Sequence, residues 1–173
     1  LLAKLQIKEY DSSRVIESFT SNGSNHKVAA TLSVGTKYVL EETFAPDGYI
    51  QFAPIYFTVE GNGDIKTTTE GGTDASTDNN SHILYAADRP IRIQIAKTRL
   101  TGSQTDYVAG AELAVYEILS DGTLSTQPAV APFTTKGVLQ TIDSSKLKVG
   151  TAYKLVELSA PEGYLKAEPV TSS

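Results

Sequence analysis

The sequence predicts an all-β chain made of two tandem antiparallel β-sandwich domains. Three observations carry this expectation. Apolar residues alternate with a period of two in short runs, with almost no helical periodicity. Clusters of Gly, Asn, Asp and Ser separate those runs as turn formers. One stretch of the chain also occurs twice.

In chain order the expected strands are AKLQIKEY (3–10), RVIESFT (14–20), KYVLEET (37–43), PIYFTVE (54–60), HILYAAD (82–88), IRIQIAK (91–97), AELAVYEIL (111–119) and YKLVEL (153–158). Each is rich in the β-branched and aromatic side chains that suit a pleated, half-buried surface. Asn22-Gly23 and Asn62-Gly63 predict tight hairpin turns, because both residue types tolerate positive φ. Residues 66–81, KTTTEGGTDASTDNNS, are polar without alternation and predict a loop between two strands. The spacing of Asp74, Asp78 and Asn80 within it does not fit an EF-hand calcium loop. No metal is expected there.

The repeat aligns LSVGTKYVLEETFAPDGY (32–49) with LKVGTAYKLVELSAPEGY (147–164), identical at eleven of eighteen positions with an offset of 115. The match runs on to Pro54 and Pro169, and AKLQIKE (3–9) resembles AELAVYE (111–117) at an offset of 108. The period is that of a domain rather than of a solenoid unit. The frame predicts a first domain at 1–89 that lacks its opening strand and a second at 90–173 that lacks its closing strand. They would meet at Asp88-Arg89-Pro90 in a stiff joint with almost no linker. The absence of an initiator Met fits a segment of a longer protein.

Composition excludes several classes of function. The net charge of −5 is spread without a basic stripe, which argues against nucleic acid as a partner. No apolar run approaches the roughly 20 residues of a membrane-spanning helix, so no membrane contact is expected. With no Cys there is neither a disulfide framework nor a thiolate metal site. His26 and His82 are the only histidines, and neither metal-ligand spacing nor a nucleophile elbow accompanies them. A hydrolase, a metal centre and a bound cofactor are therefore not expected.

Three ionisable groups fall on apolar strand faces. Side chains alternate across a strand, so Lys97 shares a face with Ile91, Ile93 and Ile95. Glu42 shares one with Tyr38 and Leu40, and Glu157 with Tyr153 and Leu155. An unpaired charge there is costly. The residues leave two readings open: strand-end side chains that reach solvent or form ordinary ion pairs, or groups tuned by burial. Desolvation lowers the pKa of a Lys and raises that of a Glu. A neutral Lys amine is a nucleophile, and a nearby Glu can shuttle protons. Attack on a carboxyl or carboxamide carbon of a neighbouring strand, with loss of water or ammonia, would leave an amide between side chains.

The motif Y-x-L-x-E-x-x-A-P-x-G-Y, preceded by V-G-T and followed by a strand such as PIYFTV, resembles the E-box of Cna B-type domains. IRIQIAKTRL followed by AGAELAVYEI resembles the opening strands of the same family. These prealbumin-like or Ig-like sandwiches form the stalks of Gram-positive collagen adhesins and sortase-assembled pilins. The resemblance implies spontaneous Lys–Asn or Lys–Asp isopeptide bonds promoted by the E-box Glu. It assigns Lys97 as the nucleophile of the second domain, Glu157 and Glu42 as the promoting acids, and Asp88 as the acceptor of the first. Pilin-like domains more often carry Asn in the slot of Asp88. The face of Asp88 is open, because Leu84-Ala86-Asp88 and Ile83-Tyr85-Ala87 both read as apolar, and a solvated junction turn is the competing reading. The lysine partner of Glu42 and Asp88 would precede Leu1, and the acceptor for Lys97 would follow Ser173. At position 43 the first motif has Thr where the second has Leu158.

The resemblance further implies a structural, non-enzymatic role in an extracellular stalk, cell-wall anchored or pilus-borne. Its partners would be other pilin subunits or flanking domains of the same surface protein. The alternative is a module that binds a host matrix protein, although the sequence concentrates no aromatic patch for that purpose.

Overall fold

Among the described residues every regular element is a β-strand and every pairing is antiparallel. The computed structural model describes residues 2–68, 74–101 and 104–172. The chain divides into two compact units, Leu1–Pro90 and Ile91–Ser173.

The first unit contains β1 (Lys4–Glu9), β2 (Val15–Thr20), β3 (Tyr38–Phe44), β4 (Tyr49–Ile50), β5 (Ile55–Val59), β6 (Ile65–Thr67), β7 (Ala75–Asp78), β8 (Ile83–Ala86) and β9 (Arg89–Pro90). Five of these form one sheet in the order β2-β1-β3-β5-β6, while β7 pairs with β8 and β4 with β9. The inward residues of the large sheet, among them Ile7, Tyr38, Leu40 and Phe57, form the core with Phe52 and Ile55. Ala75, Leu84 and Ala86 of the β7–β8 ribbon pack against that core, which makes the ribbon the second layer of the sandwich.

The second unit contains β10 (Gln94–Ile95), β11 (Thr98–Thr101), β12 (Gln104–Tyr107), β13 (Ala109–Glu117), β14 (Val130–Lys136), β15 (Gln140–Thr141), β16 (Tyr153–Ser159) and β17 (Val170–Ser172). Its main sheet has the order β14-β13-β16-β17, with β10–β15 and β11–β12 as two-stranded ribbons. Val115, Val130, Ile142, Leu147 and Tyr153 are its buried core, and Ile91 and Ile95 pack against them.

The repeated letters specify local structure. Ser33 N–H donates to the Tyr38 hydroxyl at 2.7 Å, and Lys148 N–H donates to the Tyr153 hydroxyl at 2.9 Å. Each tyrosine thus buries its ring while its hydroxyl ties down the turn before the strand. In the APxGY stretch Tyr49 N–H bonds to Pro46 C=O at 3.2 Å, and Tyr164 N–H to Pro161 C=O at 3.1 Å. Gly48 and Gly163 both sit at φ 84°, where a side chain is disfavoured. Tyr153→Phe is expected to destabilise the second unit by about 1 kcal/mol, the net worth of one hydrogen bond. Urea denaturation would show it as a lower midpoint with an unchanged slope.

Three sequence expectations change. IRIQIAK is not a continuous strand: only Gln94–Ile95 has strand geometry, and Ile93 is exposed. The backbone bonds to one partner through Ile142 N–H and Ile93 C=O, then switches at Lys97 C=O to Val108 N–H and the β11–β12 hairpin. The polar stretch 66–81 is not all loop, since Ile65–Thr67 and Ala75–Asp78 are strands, and residues 69–73 lie outside the described residues. There Asp74 pairs with Arg89 at 3.4 Å, and Asp78 caps the turn by accepting from Asn80 and Ser81 N–H. Asn22-Gly23 follows β2 in a bend and joins no hairpin. Asn62-Gly63 does lie between the paired strands β5 and β6, but only its glycine takes positive φ.

Candidate functional site

The two glutamates reach the interior by the same backbone device. On β3, Leu5 pairs with Glu42 and Lys4 with Phe44, so Thr43 is the extra residue of a β-bulge. On β16, Leu113 pairs with Glu157 and Glu112 with Ser159, so Leu158 is the extra residue there. Both bulged side chains face solvent. That is why Thr and Leu are interchangeable at this position while the preceding residue is Glu in both repeats.

Glu42 is 7 % exposed and Glu157 3 % exposed. Each accepts one backbone hydrogen bond from ten residues downstream. Phe52 N–H donates to Glu42 Oε2 at 3.3 Å, and Ala167 N–H donates to Glu157 Oε2. The glutamate therefore anchors the chain as it returns after the APxGY turn. The sequence signal for this was present in the run of the match to Pro54 and Pro169, but a backbone donor leaves no letter of its own. The second oxygen, Oε1, is buried in both carboxyls, and in Glu157 it has no hydrogen-bond partner.

The charged neighbour of the carboxyl differs between the units. In the second, Lys97 Nζ stands 3.7 Å from Glu157 Oε1, an ion-pair contact too long for a hydrogen bond. The Lys97 side chain is 19 % exposed and the Glu157 side chain 2 %. In the first unit the neighbour is Asp88. Burial pushes the Glu42 carboxyl up to about 8, the Asp88 carboxyl adds to this through a side-chain hydrogen bond and like-charge repulsion, and the Phe52 amide opposes it. Burial and Asp88 together favour the neutral acid form of Glu42.

The face of Asp88 is the one that continues Leu84 and Ala86, both packed on the core, whereas Tyr85 points outward. The structure thus brings Lys97 to Glu157 and Asp88 to Glu42. Among the described residues no lysine makes an ion pair with Glu42 or Asp88, and no aspartate makes one with Lys97. The histidines do other work: His26 bonds Glu17 at 2.8 Å and stacks on Phe19 at 3.8 Å, and His82 packs beside Gly63. Among the described residues no group of three His, Asp or Glu side chains is placed to hold a metal ion.

Two antiparallel sandwiches with a repeated inward glutamate define the chain as a pair of prealbumin-like domains. The family model described as SpaA, prealbumin-like fold domain, matches residues 3–73 and again residues 91–172, and the chain belongs to that family. No curated protein matches it. Among solved structures, the pilus adhesin SpaC from Lactobacillus rhamnosus GG in its open conformation aligns at 18 % identity with a TM-score of 0.38, covering 95 % of this chain and 22 % of SpaC. The shaft pilin SpaA from the same organism aligns at 16 % identity with a TM-score of 0.37, covering 99 % of this chain and 82 % of SpaA. The chain thus spans about a fifth (22 %) of the length of the adhesin it resembles.

Proposed function

We propose that the chain is a structural segment of a Gram-positive cell-surface pilin or adhesin stalk, stiffened by intramolecular isopeptide cross-links at Lys97 and Asp88. The observation that carries this reading is the shared glutamate. In each repeat the same buried carboxyl stands against a group of complementary chemistry for a cross-link, an amine at Lys97 in one case and a carboxyl at Asp88 in the other.

The chemistry follows from those contacts. A deprotonated lysine amine attacks the side-chain carbonyl carbon of Asp or Asn. The new N–C bond forms, the C–O or C–N bond breaks, and water or ammonia leaves. A neutral Glu42 donates a hydrogen bond to the carbonyl oxygen of Asp88 and then a proton to the leaving hydroxyl, and the proton released by the amine passes to the Glu42 carboxylate and restores the acid. Glu157 takes the proton from Lys97 at the start of the same sequence. Each bond forms once per molecule, so this is maturation and not enzymatic turnover. A covalent tie between strands carries tension without unravelling the sheet, a role that a Cys-free extracellular domain cannot give to a disulfide. Other pilin subunits, or flanking domains of the same surface protein, are the partners this reading requires.

Intact mass and peptide mapping of the protein purified from the cell surface test it. The expected result is a deficit of one water or one ammonia per cross-link, with branched peptides containing Lys97 and Asp88. The deficit should disappear unit by unit in Glu42→Ala and Glu157→Ala. Unbranched peptides and a full mass would overturn the proposal.

A further inference from the structure

We infer that Asn22 is a site of spontaneous covalent modification, converted to aspartate or isoaspartate by attack of the Gly23 backbone nitrogen. The fold protects the chemically identical pair Asn62-Gly63 from the same reaction. Both are independent of the cross-linking reading.

The repeat explains why a glycine stands at position 23. Leu5 pairs with Phe19 as Leu113 pairs with Phe133. Two residues on, Ser21 Oγ accepts from Ala3 N–H at 2.8 Å, and Thr135 Oγ1 accepts from Ala111 N–H at 3.0 Å. Two further on, Gly23 and Gly137 take φ of 85° and 75°, where a side chain is disfavoured. The glycine therefore belongs to the turn that leaves the edge strand in both units. The residue before it is not fixed by the turn, and it is Asn22 in one unit and Lys136 in the other.

An asparagine before a glycine is reactive because no side chain blocks the approach of the glycine nitrogen to the asparagine Cγ, and the attack is intramolecular. The N–Cγ bond forms as the nitrogen gives its proton to water. The Cγ–Nδ2 bond breaks, and Nδ2 takes up a proton and leaves as ammonia. Water then opens the cyclic imide. Cleavage of the new N–Cγ bond gives aspartate, and cleavage of the original backbone C–N bond gives isoaspartate. Either product adds one negative charge to the turn after β2.

The two Asn-Gly pairs share their local turn. Asn22 Oδ1 accepts from Ser24 N–H and Asn62 Oδ1 from Asp64 N–H, both at 3.0 Å, and Gly23 and Gly63 lie at φ 85° and 88°. They differ in what holds the reacting groups. Gly63 N–H donates to Glu60 C=O at 2.9 Å, Asn62 Nδ2 donates to Asp64 Oδ2 at 2.9 Å, and Glu60 N–H closes the turn on Asp64 C=O at 2.8 Å. The His82 ring covers Gly63, with a carbon 3.1 Å from where a Cβ would lie. Nucleophile and leaving group are both committed there. Asn22, Gly23 and Ser24 are exposed, and nothing stands within 4 Å of the Cβ position of Gly23. Among the described residues neither Gly23 N–H nor Asn22 Nδ2 has a hydrogen-bond partner.

The test is to incubate the full-length protein at mildly alkaline pH, folded and in concentrated guanidinium, against an unincubated control. Tryptic peptides 15–27 and 38–66 contain Asn22 and Asn62 and separate the two sites. Fragment masses then locate each change of amide to acid. In the folded protein Asn22 should react at least about tenfold faster than Asn62, whose turn must first open and break its hydrogen bonds. Guanidinium should bring the two rates together, because only the fold separates them. Aspartyl and isoaspartyl forms of peptide 15–27 should appear together, which marks the imide route. Equal rates in the folded protein, or faster reaction at Asn62, would overturn the inference. So would an Asn22 that reacts only in guanidinium, or aspartate formed without isoaspartate.

Discussion

Glu42→Gln is expected to remove most of the alkaline sensitivity of the first unit. The Glu42 carboxyl titrates near its ordinary 4.5 when the chain is unfolded and at about 8 when folded. Below the lower value both states are protonated and the group has no effect. Between the two values the unfolded chain has released its proton while the folded chain retains it, so folding stability falls with rising pH. Above about 8 the loss is complete. Its full size is about 3–5 kcal/mol by linkage, equivalent to roughly 15–25 °C in melting temperature for a unit of this size. Glutamine fills the same volume, accepts the Phe52 amide through its carbonyl oxygen and carries no charge. Thermal melts of the first unit from pH 4 to pH 9 should slope downward in the parent and lie nearly flat in Glu42→Gln. Asp88→Asn should give an intermediate slope, because burial, the larger cause, remains. A variant profile parallel to that of the parent would place the titration on another group.

The sandwich class was legible because period-two alternation is a direct imprint of a half-buried sheet, and strands 4–9, 15–20, 38–44, 55–59, 109–117 and 153–159 fall within or overlap the runs expected from it. The inward placement of Glu42 and Glu157 was legible for the same reason, with the duplication confirming the frame. Two kinds of feature were not. Val130–Lys136 is a full strand of the second sheet, yet Ala131-Pro132 interrupts its alternation; the proline is tolerated because β14 is an edge strand. Ala75–Asp78 is short and mostly polar, with Ser76 and Thr77 exposed, so its identity as a strand rests on pairing with Ile83–Ala86, a tertiary fact with no local signature. In the site, Lys97 was readable as inward from alternation even though the strand it was assigned to breaks up. The isoleucines at 91 and 95 pack as expected, and the one between them does not. Backbone donors such as Phe52 and Ala167 N–H were invisible because every residue but proline carries the same group.

Lys97→Met is expected to cost the second unit more than any other single change at the site that leaves the backbone intact, and Glu157→Gln in the same molecule is expected to restore most of the loss. Lys97 is the only cation in ion-pair contact with Glu157 among the described residues, and the carboxyl has almost no contact with water. Removing the cation leaves an uncompensated buried charge, which costs about 3–5 kcal/mol. Met keeps much of the apolar stem of Lys, so lost packing adds little. Gln at 157 cancels the charge and still accepts the Ala167 amide, whereas Ala at 157 would orphan that donor and cost about 1–3 kcal/mol more. Guanidinium unfolding of the two single variants and the double variant should therefore give a coupling energy of opposite sign to the loss in Lys97→Met, and additive effects would sink the ion-pair account.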